Sequence, residues 1–182
     1  MFRILLFALL SALFLRISWR ALHNPRNHGF FRFFVFEGIL VLLLINAPYW
    51  FHDPISIRQA LSLAMLFGSL YCVIRAVRLL KRKGGRRASG TTPGNFAFEN
   101  TAHLVTEGIF AYIRHPMYTS LLLLTWGLFL KRIHLISFLV AAVTTVFTVV
   151  AARFEEHENL AYFGASYREY MQRSKRFIPF LL

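Results

Sequence analysis

Apolar residues run along this chain in long blocks, and the short stretches between the blocks hold most of its charge. Five blocks read as membrane segments: Phe2–Ile17, Phe33–Phe51, Ile57–Leu80, Pro116–Leu130 and Ile133–Ala152. About 20 mostly apolar residues in a helix cross the hydrocarbon core of a bilayer. Inside lipid every backbone N–H and C=O must be paired within the segment, so unbroken apolar runs of this kind are helices. The first and fourth runs are short, and each begins at an interface or thins the bilayer locally. Beyond the fifth run, Leu160, Phe163, Tyr167 and Tyr170 recur at three- and four-residue steps. That spacing predicts an amphipathic helix from Glu155 to Gln172 on the cytoplasmic face, interrupted by Gly164 where close packing would favour a glycine. The expected fold is all-α and integral to the membrane, with about five transmembrane helices and a C-terminal amphipathic helix.

Composition supports this class. The 182 residues are 57% hydrophobic and 16% charged, with 20 phenylalanines, against about 45–50% and about 25% in ordinary globular chains. A net charge of +13 raises the question of nucleic acid, but the basic residues flank the apolar blocks, as they do when they set membrane orientation, so no nucleic-acid partner is expected. Four arginines lie between residues 16 and 32, eight lysines and arginines between 75 and 114, and five from Arg153 onward, leaving Arg3, Arg58, Lys131 and Arg132 for the opposite side. This bias puts the N-terminus outside and the C-terminus in the cytoplasm. Met1-Phe2-Arg3 and the run after it also read as a signal peptide, but no small-x-small cleavage site follows, and Arg16, Trp19 and Arg20 resemble an interfacial anchor, which favours a retained span. The lone Cys72 excludes an intrachain disulfide, and no cysteine cluster offers a zinc site, so no metal is expected.

The chain divides into a three-span N-terminal region, 1–98, and a region of two spans and a helix, 99–182. The connection Lys81–Gly94 is basic and glycine-rich. It reads as a flexible loop on anionic headgroups, or, without the Walker spacing, as a weaker candidate for phosphate cradling.

Two clusters offer chemistry. Arg114-His115-Pro116-Met117-Tyr118 opens the fourth span, and Glu155-Glu156 closes the fifth, with Arg153 just before them. Pro116 suits the first position of a helix, and His115 before it is pushed out of helical backbone geometry. An arginine, an imidazole and a helix N-terminus together favour a carboxylate or phosphate; a plain interfacial helix start is the alternative. The acids pair with basic loops or bind a cationic group. If both clusters face one pocket, its ligand has a negative end and a positive end, as an amino-acid-like cofactor does. Gly108 marks a turn or a close backbone approach. Glu37, inside the second span, calls for a structural partner. The phenylalanines at 30, 31, 33, 34 and 36 form an interfacial belt.

Taken in order, Leu104-Val105-Thr106-x-Gly108, Arg114-His115-Pro116-x-Tyr118, Glu155-Glu156, Phe163-Gly164-x-x-Tyr167-x-x-Tyr170 and Phe177-Ile178-Pro179 resemble the isoprenylcysteine carboxyl methyltransferase family. The related phospholipid methyltransferases look similar over the same region, roughly 100–182. Residues 24–52 are similar to those of bacterial members, which implies a bacterial inner membrane. The resemblance implies an integral membrane methyltransferase that uses S-adenosylmethionine without a Rossmann domain. It implies cofactor contacts from His103, Leu104, Val105, Phe110, Arg114, His115, Pro116, Met117, Tyr118 and Glu155. Phe110 stands where the family often has a tyrosine. Arg153 matches, at a different offset, an arginine that handles substrate. A carboxylate acceptor would need orientation only, by Arg153; an amine would need deprotonation, by His115 or Glu156. The implied acceptor is a lipid or isoprenoid from the bilayer: a lipid amine, a quinone-like molecule or an isoprenoid acid. The competing reading is a non-enzymatic assembly or transport protein that kept the fold. Intact His115, Tyr118 and Glu155 favour the enzyme, and the absence of an internal repeat weakens transport.

Overall fold

A computed structural model describes residues 1–85, 96 and 98–179. Six α-helices follow one another: α1 (Phe2–Leu22), α2 (His28–Asn46), α3 (Ile57–Lys83), α4 (Pro116–Phe129), α5 (Leu135–Phe163) and α6 (Ala165–Arg173). Short 3₁₀ turns occupy Ala47–Tyr49 and Gly108–Ala111, and among the described residues the one strand-like pairing is a parallel bridge between Ile113 and Lys175. Helices α1, α2, α3 and α5 are long and apolar enough to cross a membrane, while α4 is apolar but has 14 residues. At 1.5 Å per residue α4 reaches about 21 Å, short of a hydrocarbon core of about 30 Å.

Local chemistry sets the helix starts. The Asn27 side chain accepts a hydrogen bond from Gly29 N at 2.7 Å and caps α2, so that helix begins five residues before its apolar run suggests. Ser56 caps α3 by accepting from Gln59 N at 3.3 Å, and Pro116 opens α4 as expected. The largest departure is α5, which continues unbroken for 29 residues. Glu155, Glu156 and Glu158 therefore ride on its last turns, and the expected helix from Glu155 to Gln172 is split between α5 and α6. The polar residues there end the apolar run but leave the helical backbone hydrogen bonds intact. The break falls at Gly164, with φ 59° and ψ −127°. A Cβ at Gly164 would meet nothing within 4 Å, so this glycine serves the backbone turn and not close packing. Of the expected basic loop, residues 81–83 belong to α3, and 86–94 lie outside the described residues.

Helix α2 packs along α5 and α3 along α4, α4 also touches α2 and α5, and α1 lies against α2. Val35, Ile39 and Leu42 of α2 meet Leu128 and Phe129 of α4 and Ala141 of α5 in the central core. A Cβ on Gly38 would sit 2.1 Å from Thr144 Oγ1, so glycine lets α2 and α5 approach closely, as small residues do between membrane helices. Glu37 accepts a hydrogen bond from Ser11 Oγ at 2.9 Å, which ties α2 to α1. The short α4 ends inside the bundle. Ser62 Oγ donates to Gly127 O at 2.7 Å, Asn46 Nδ2 to Leu128 O at 2.9 Å and Arg58 Nη1 to Leu130 O at 2.7 Å. These side chains satisfy the carbonyls that a helix end leaves unpaired.

Gly164→Ala should lower the thermal midpoint in detergent, because a side chain in that backbone region costs about 1–3 kcal/mol. Gly68→Ala places its Cβ 3.4 Å from Leu123 Cδ1, an ordinary contact, and should melt no lower than wild type. Equal midpoints for Gly164→Ala and wild type would refute the backbone role.

Candidate active site

The site is assembled from the end of α5, the start of α4 and the segment after α6. Gly108, at φ 58°, turns the chain into the 3₁₀ turn that buries Phe110. Tyr170 of α6 donates its hydroxyl to Phe110 O at 2.6 Å. The chain after α6 then lies along residues 112–115: Lys175 N donates to Tyr112 O at 3.0 Å, Arg114 N to Lys175 O at 2.7 Å and His115 N to Arg176 O at 3.1 Å. Thr119 Oγ1 donates to Phe177 O at 2.9 Å. Phe177 is buried against Tyr118, Ala151 and Ala152. Phe177, at the end of the motif order, is therefore part of the core.

At the centre of this assembly is Glu156, whose side chain is 5% exposed. Arg114 Nε donates to its Oε1 at 3.0 Å, and Arg176 donates to both oxygens, with Nη2 to Oε2 at 2.6 Å. Arg114 Nη1 also donates to Met171 O and Ser174 O. His115 Nε2 lies 3.4 Å from Glu156 Oε1. Glu156 thus joins three segments.

Beside this clamp is a cavity of about 410 Å³, within the range of small-molecule and cofactor sites. One wall is apolar: Phe36 of α2, Val73, Val77 and Leu80 along one face of α3, and Phe96 and Phe98 of the following loop. His115, Tyr118, Glu155, Asn159, Tyr167 and Tyr170 also line the cavity. Glu155 keeps 30% of its side chain open, and its one ion-pair contact among the described residues is His115 Nδ1 at 3.7 Å. The Tyr118 hydroxyl is buried next to Glu155. Arg32 also faces the cavity, with Nη1 donating to both Glu99 oxygens at 2.9 Å and its guanidinium 4.3 Å from the centre of the Phe96 ring. Burial pushes the Glu99 carboxyl above its ordinary range, against the pull of Arg32. Burial likewise raises the hydroxyls of Tyr167 and Tyr170, which stay neutral.

Of the residues proposed from sequence, Leu104, Val105, Phe110, Arg114, His115, Pro116, Met117, Tyr118 and Glu155 line the cavity. His103 is exposed, with its N donating to Gly84 O at 2.8 Å, and does not line it. Arg153 is exposed on α5, outside the cavity lining, and its carbonyl accepts from His157. Glu156 lies behind the wall, committed to two arginines. Arg32, Glu99 and Asn159 line the cavity and were not anticipated. In the sequence Arg32 reads as one of four arginines that set orientation; only with α2 starting at His28 does it lie inside a span, where an arginine calls for a partner. Asn159 follows Glu155 by one helical turn, which its spacing reveals only once α5 is continued past residue 155.

The sequence pattern of the phospholipid methyltransferase family matches residues 57–166, more than half of the chain, and the chain belongs to that family. Methyltransferases of this family use S-adenosylmethionine as methyl donor. Similar proteins include a methanethiol S-methyltransferase of Crocosphaera subtropica, 34% identical over 77 residues that cover 42% of this chain and 29% of that protein. Methanethiol S-methyltransferase 1 of Bradyrhizobium diazoefficiens is 35% identical over 75 residues, 41% of this chain and 25% of its own length. Protein-S-isoprenylcysteine O-methyltransferase B of Arabidopsis thaliana is 38% identical over 80 residues, 43% of this chain and 40% of its own length. The match thus spans less than half of each relative. No solved structure matches the chain.

Removing one partner of a buried ion pair costs about 3–5 kcal/mol. Glu156→Ala should fall toward the low end, because Arg176 keeps 29% of its side chain exposed. The expected results are a lower thermal midpoint and faster tryptic cleavage at Arg173 and Lys175. Wild-type melting and digestion would refute the clamp.

Proposed function

We propose that this protein is an integral membrane methyltransferase that uses S-adenosylmethionine to methylate a lipid-like acceptor taken from the bilayer. The observation that carries the reading is the open carboxylate of Glu155, set beside His115 and Tyr118 in a cavity lined also by apolar residues of α2 and α3. The cofactor carries an ammonium, a sulfonium and a carboxylate on one small frame, and it supplies a methyl group on a positively charged sulfur. Glu155 fits the cationic part, because its ion-pair contact among the described residues is with His115, while Arg32 and Arg114 pair with Glu99 and Glu156. Phe110, Phe163, Tyr167 and Tyr170 offer aromatic surface for the rest.

The acceptor side is the wall built from α2, α3 and the loop at Phe96 and Phe98. An apolar tail fits there, while the reacting group reaches Glu155 and His115. Direct transfer of this kind gains mainly from positioning and from excluding water. A carboxylate acceptor would be oriented by Arg32, the guanidinium that faces the cavity, in place of Arg153. We place the cavity at the cytoplasmic end of a protein in a bacterial inner membrane, with the N-terminus outside. The basic stretches 16–32, 75–114 and 153–176 support that orientation, and two of the similar proteins are bacterial.

Calorimetric titration of the purified protein with S-adenosylmethionine should give saturable binding. Hydrogen bonds to charged groups contribute about 1.5–3 kcal/mol, so Glu155→Ala should weaken binding roughly tenfold to a hundredfold. His115→Ala should weaken it more than Glu37→Ala, since Glu37 bonds Ser11 away from the cavity. Unchanged affinity in Glu155→Ala would remove that assignment, and equal losses in the other two variants would mean general loosening.

A further inference from the structure

Away from the cavity, where α4 stops, two connections meet: residues 50–56 lead into α3 and residues 130–134 lead into α5. Connections of this kind normally run over a wetted surface, which satisfies their backbone carbonyls. Here the protein's own groups take them. The buried Gln59 donates through Nε2 to Tyr49 O at 3.2 Å and to His52 O at 2.7 Å. Arg58 Nη1 donates to Leu130 O at 2.7 Å and also to Lys131 O. Ser56 Oγ donates to Asp53 O at 2.8 Å. The charged and titratable side chains are occupied locally as well. Asp53 Oδ2 lies 2.8 Å from His52 Nδ1 and 3.9 Å from Arg58 Nη2. His134 Nδ1 accepts from Ile136 N at 3.3 Å, and the Arg132 guanidinium is 4.2 Å from the centre of the Tyr49 ring.

Large apolar side chains project from this same end. Phe51, Ile55 and Ile57 at the first connection, and Ile133, Leu135 and Ile136 at the second, are between 55% and 98% exposed. Apolar side chains outside and satisfied carbonyls inside are what backbone at membrane depth requires. The neighbours say which partner fits. Arg58, Lys131 and Arg132 lie beside Tyr49 and Trp50, the basic and aromatic mixture found at a headgroup boundary. Three cations against one acid, Asp53, suit lipid phosphates; the core of a protein–protein contact is depleted of charge instead. Helix length adds an independent argument. An α4 of about 21 Å cannot place both its ends at the boundaries of a core of about 30 Å.

We propose that these two turns form a lipid-inserting surface, seated among the acyl chains of the adjacent leaflet, below the level of its phosphates. Insertion covers the six apolar side chains and needs no water for the carbonyls. It also seats α4 deep in the bilayer, which brings the start of that helix, and the cavity beside it, to the boundary of the other leaflet.

Nitroxide labels on single cysteines measure the depth of each turn. Cys72→Ala removes the native thiol, and Ile55→Cys, Ile133→Cys, Leu9→Cys and Glu169→Cys each add one label to the full chain. The proteins are reconstituted in phosphatidylcholine–phosphatidylglycerol vesicles with a nickel chelate on both sides. Collisions with oxygen, which concentrates in hydrocarbon, are compared with collisions with the chelate, which stays in water. Leu9, exposed on the membrane-length α1, is the lipid standard, and Glu169, exposed on α6, is the water standard. The oxygen-to-nickel ratio at 55 and 133 should be several-fold above that at 169 and close to that at 9. A ratio equal to that at 169 would overturn the proposal, since the bilayer would then thin to the turns and leave them in water. Low access to both reagents would overturn it too, because protein and not lipid would cover the face. Where a label lowers the thermal midpoint, Phe51→Cys or Ile136→Cys replaces it, so each turn is read in a folded protein.

Discussion

Glu156 is the constraint on which the site depends. Burying a carboxylate is costly unless charge and hydrogen bonds compensate it, and here Arg114 and Arg176 do so from two different segments. The segment before α4, the end of α5 and the strand-like stretch after α6 are drawn to one point. The geometry then propagates by helix periodicity. Successive residues on an α-helix are rotated by about 100°, so fixing Glu156 against the arginines also fixes where Glu155 points. One acid holds the wall together, and its neighbour is free to face a ligand.

The membrane imposes the second constraint. Helices α2, α4 and α5 must pack without spare polar groups, and the threonines of α5 comply locally: Thr144, Thr145 and Thr148 each donate to the carbonyl four residues earlier. At the far end, Lys131 is buried, with Nζ donating to Gln59 Oε1 at 3.0 Å and its charge over the Trp50 ring. That network closes the bundle where α4 stops short. At the opposite end, Phe96, Phe98 and Glu99 of the loop between α3 and α4 help line the cavity. Arg32 and Glu99 hold part of that loop, with Phe96 N also donating to Glu99 Oε2 at 2.7 Å.

Much of this was legible in the chain. Hydropathy gave the class and nearly every segment, Pro116 marked the start of α4, and the order of the motifs pointed to most of the cavity wall on α4 and to Glu155. The end of α5 was not legible, because a drop in hydropathy marks the end of an apolar surface and says nothing of backbone hydrogen bonding. The partners of Arg32 and Glu156 were hidden for another reason. Arg32 and Glu99 are 67 residues apart, and no periodicity links positions that meet only when α2 and the loop after α3 fold together. Arg153 shows the converse risk: a residue chosen by its place beside a motif can sit on the wrong face of the helix.

The charges around the cavity point in one direction. Arg32 and Arg114 both line it, but each already has a carboxylate partner, Glu99 and Glu156. Glu155, by contrast, has no arginine within ion-pair distance among the described residues and keeps part of its side chain open. Apolar residues such as Val73, Val77 and Leu80 also line the cavity, and a less polar surrounding strengthens a carboxylate's field relative to bulk solvent. Such a site favours a ligand with a positive centre over the same ligand once that charge is lost. In a methyl transfer from a sulfonium the positive charge leaves the sulfur as the methyl group departs, so on the proposed function an acid facing the donor would hold the spent product less strongly.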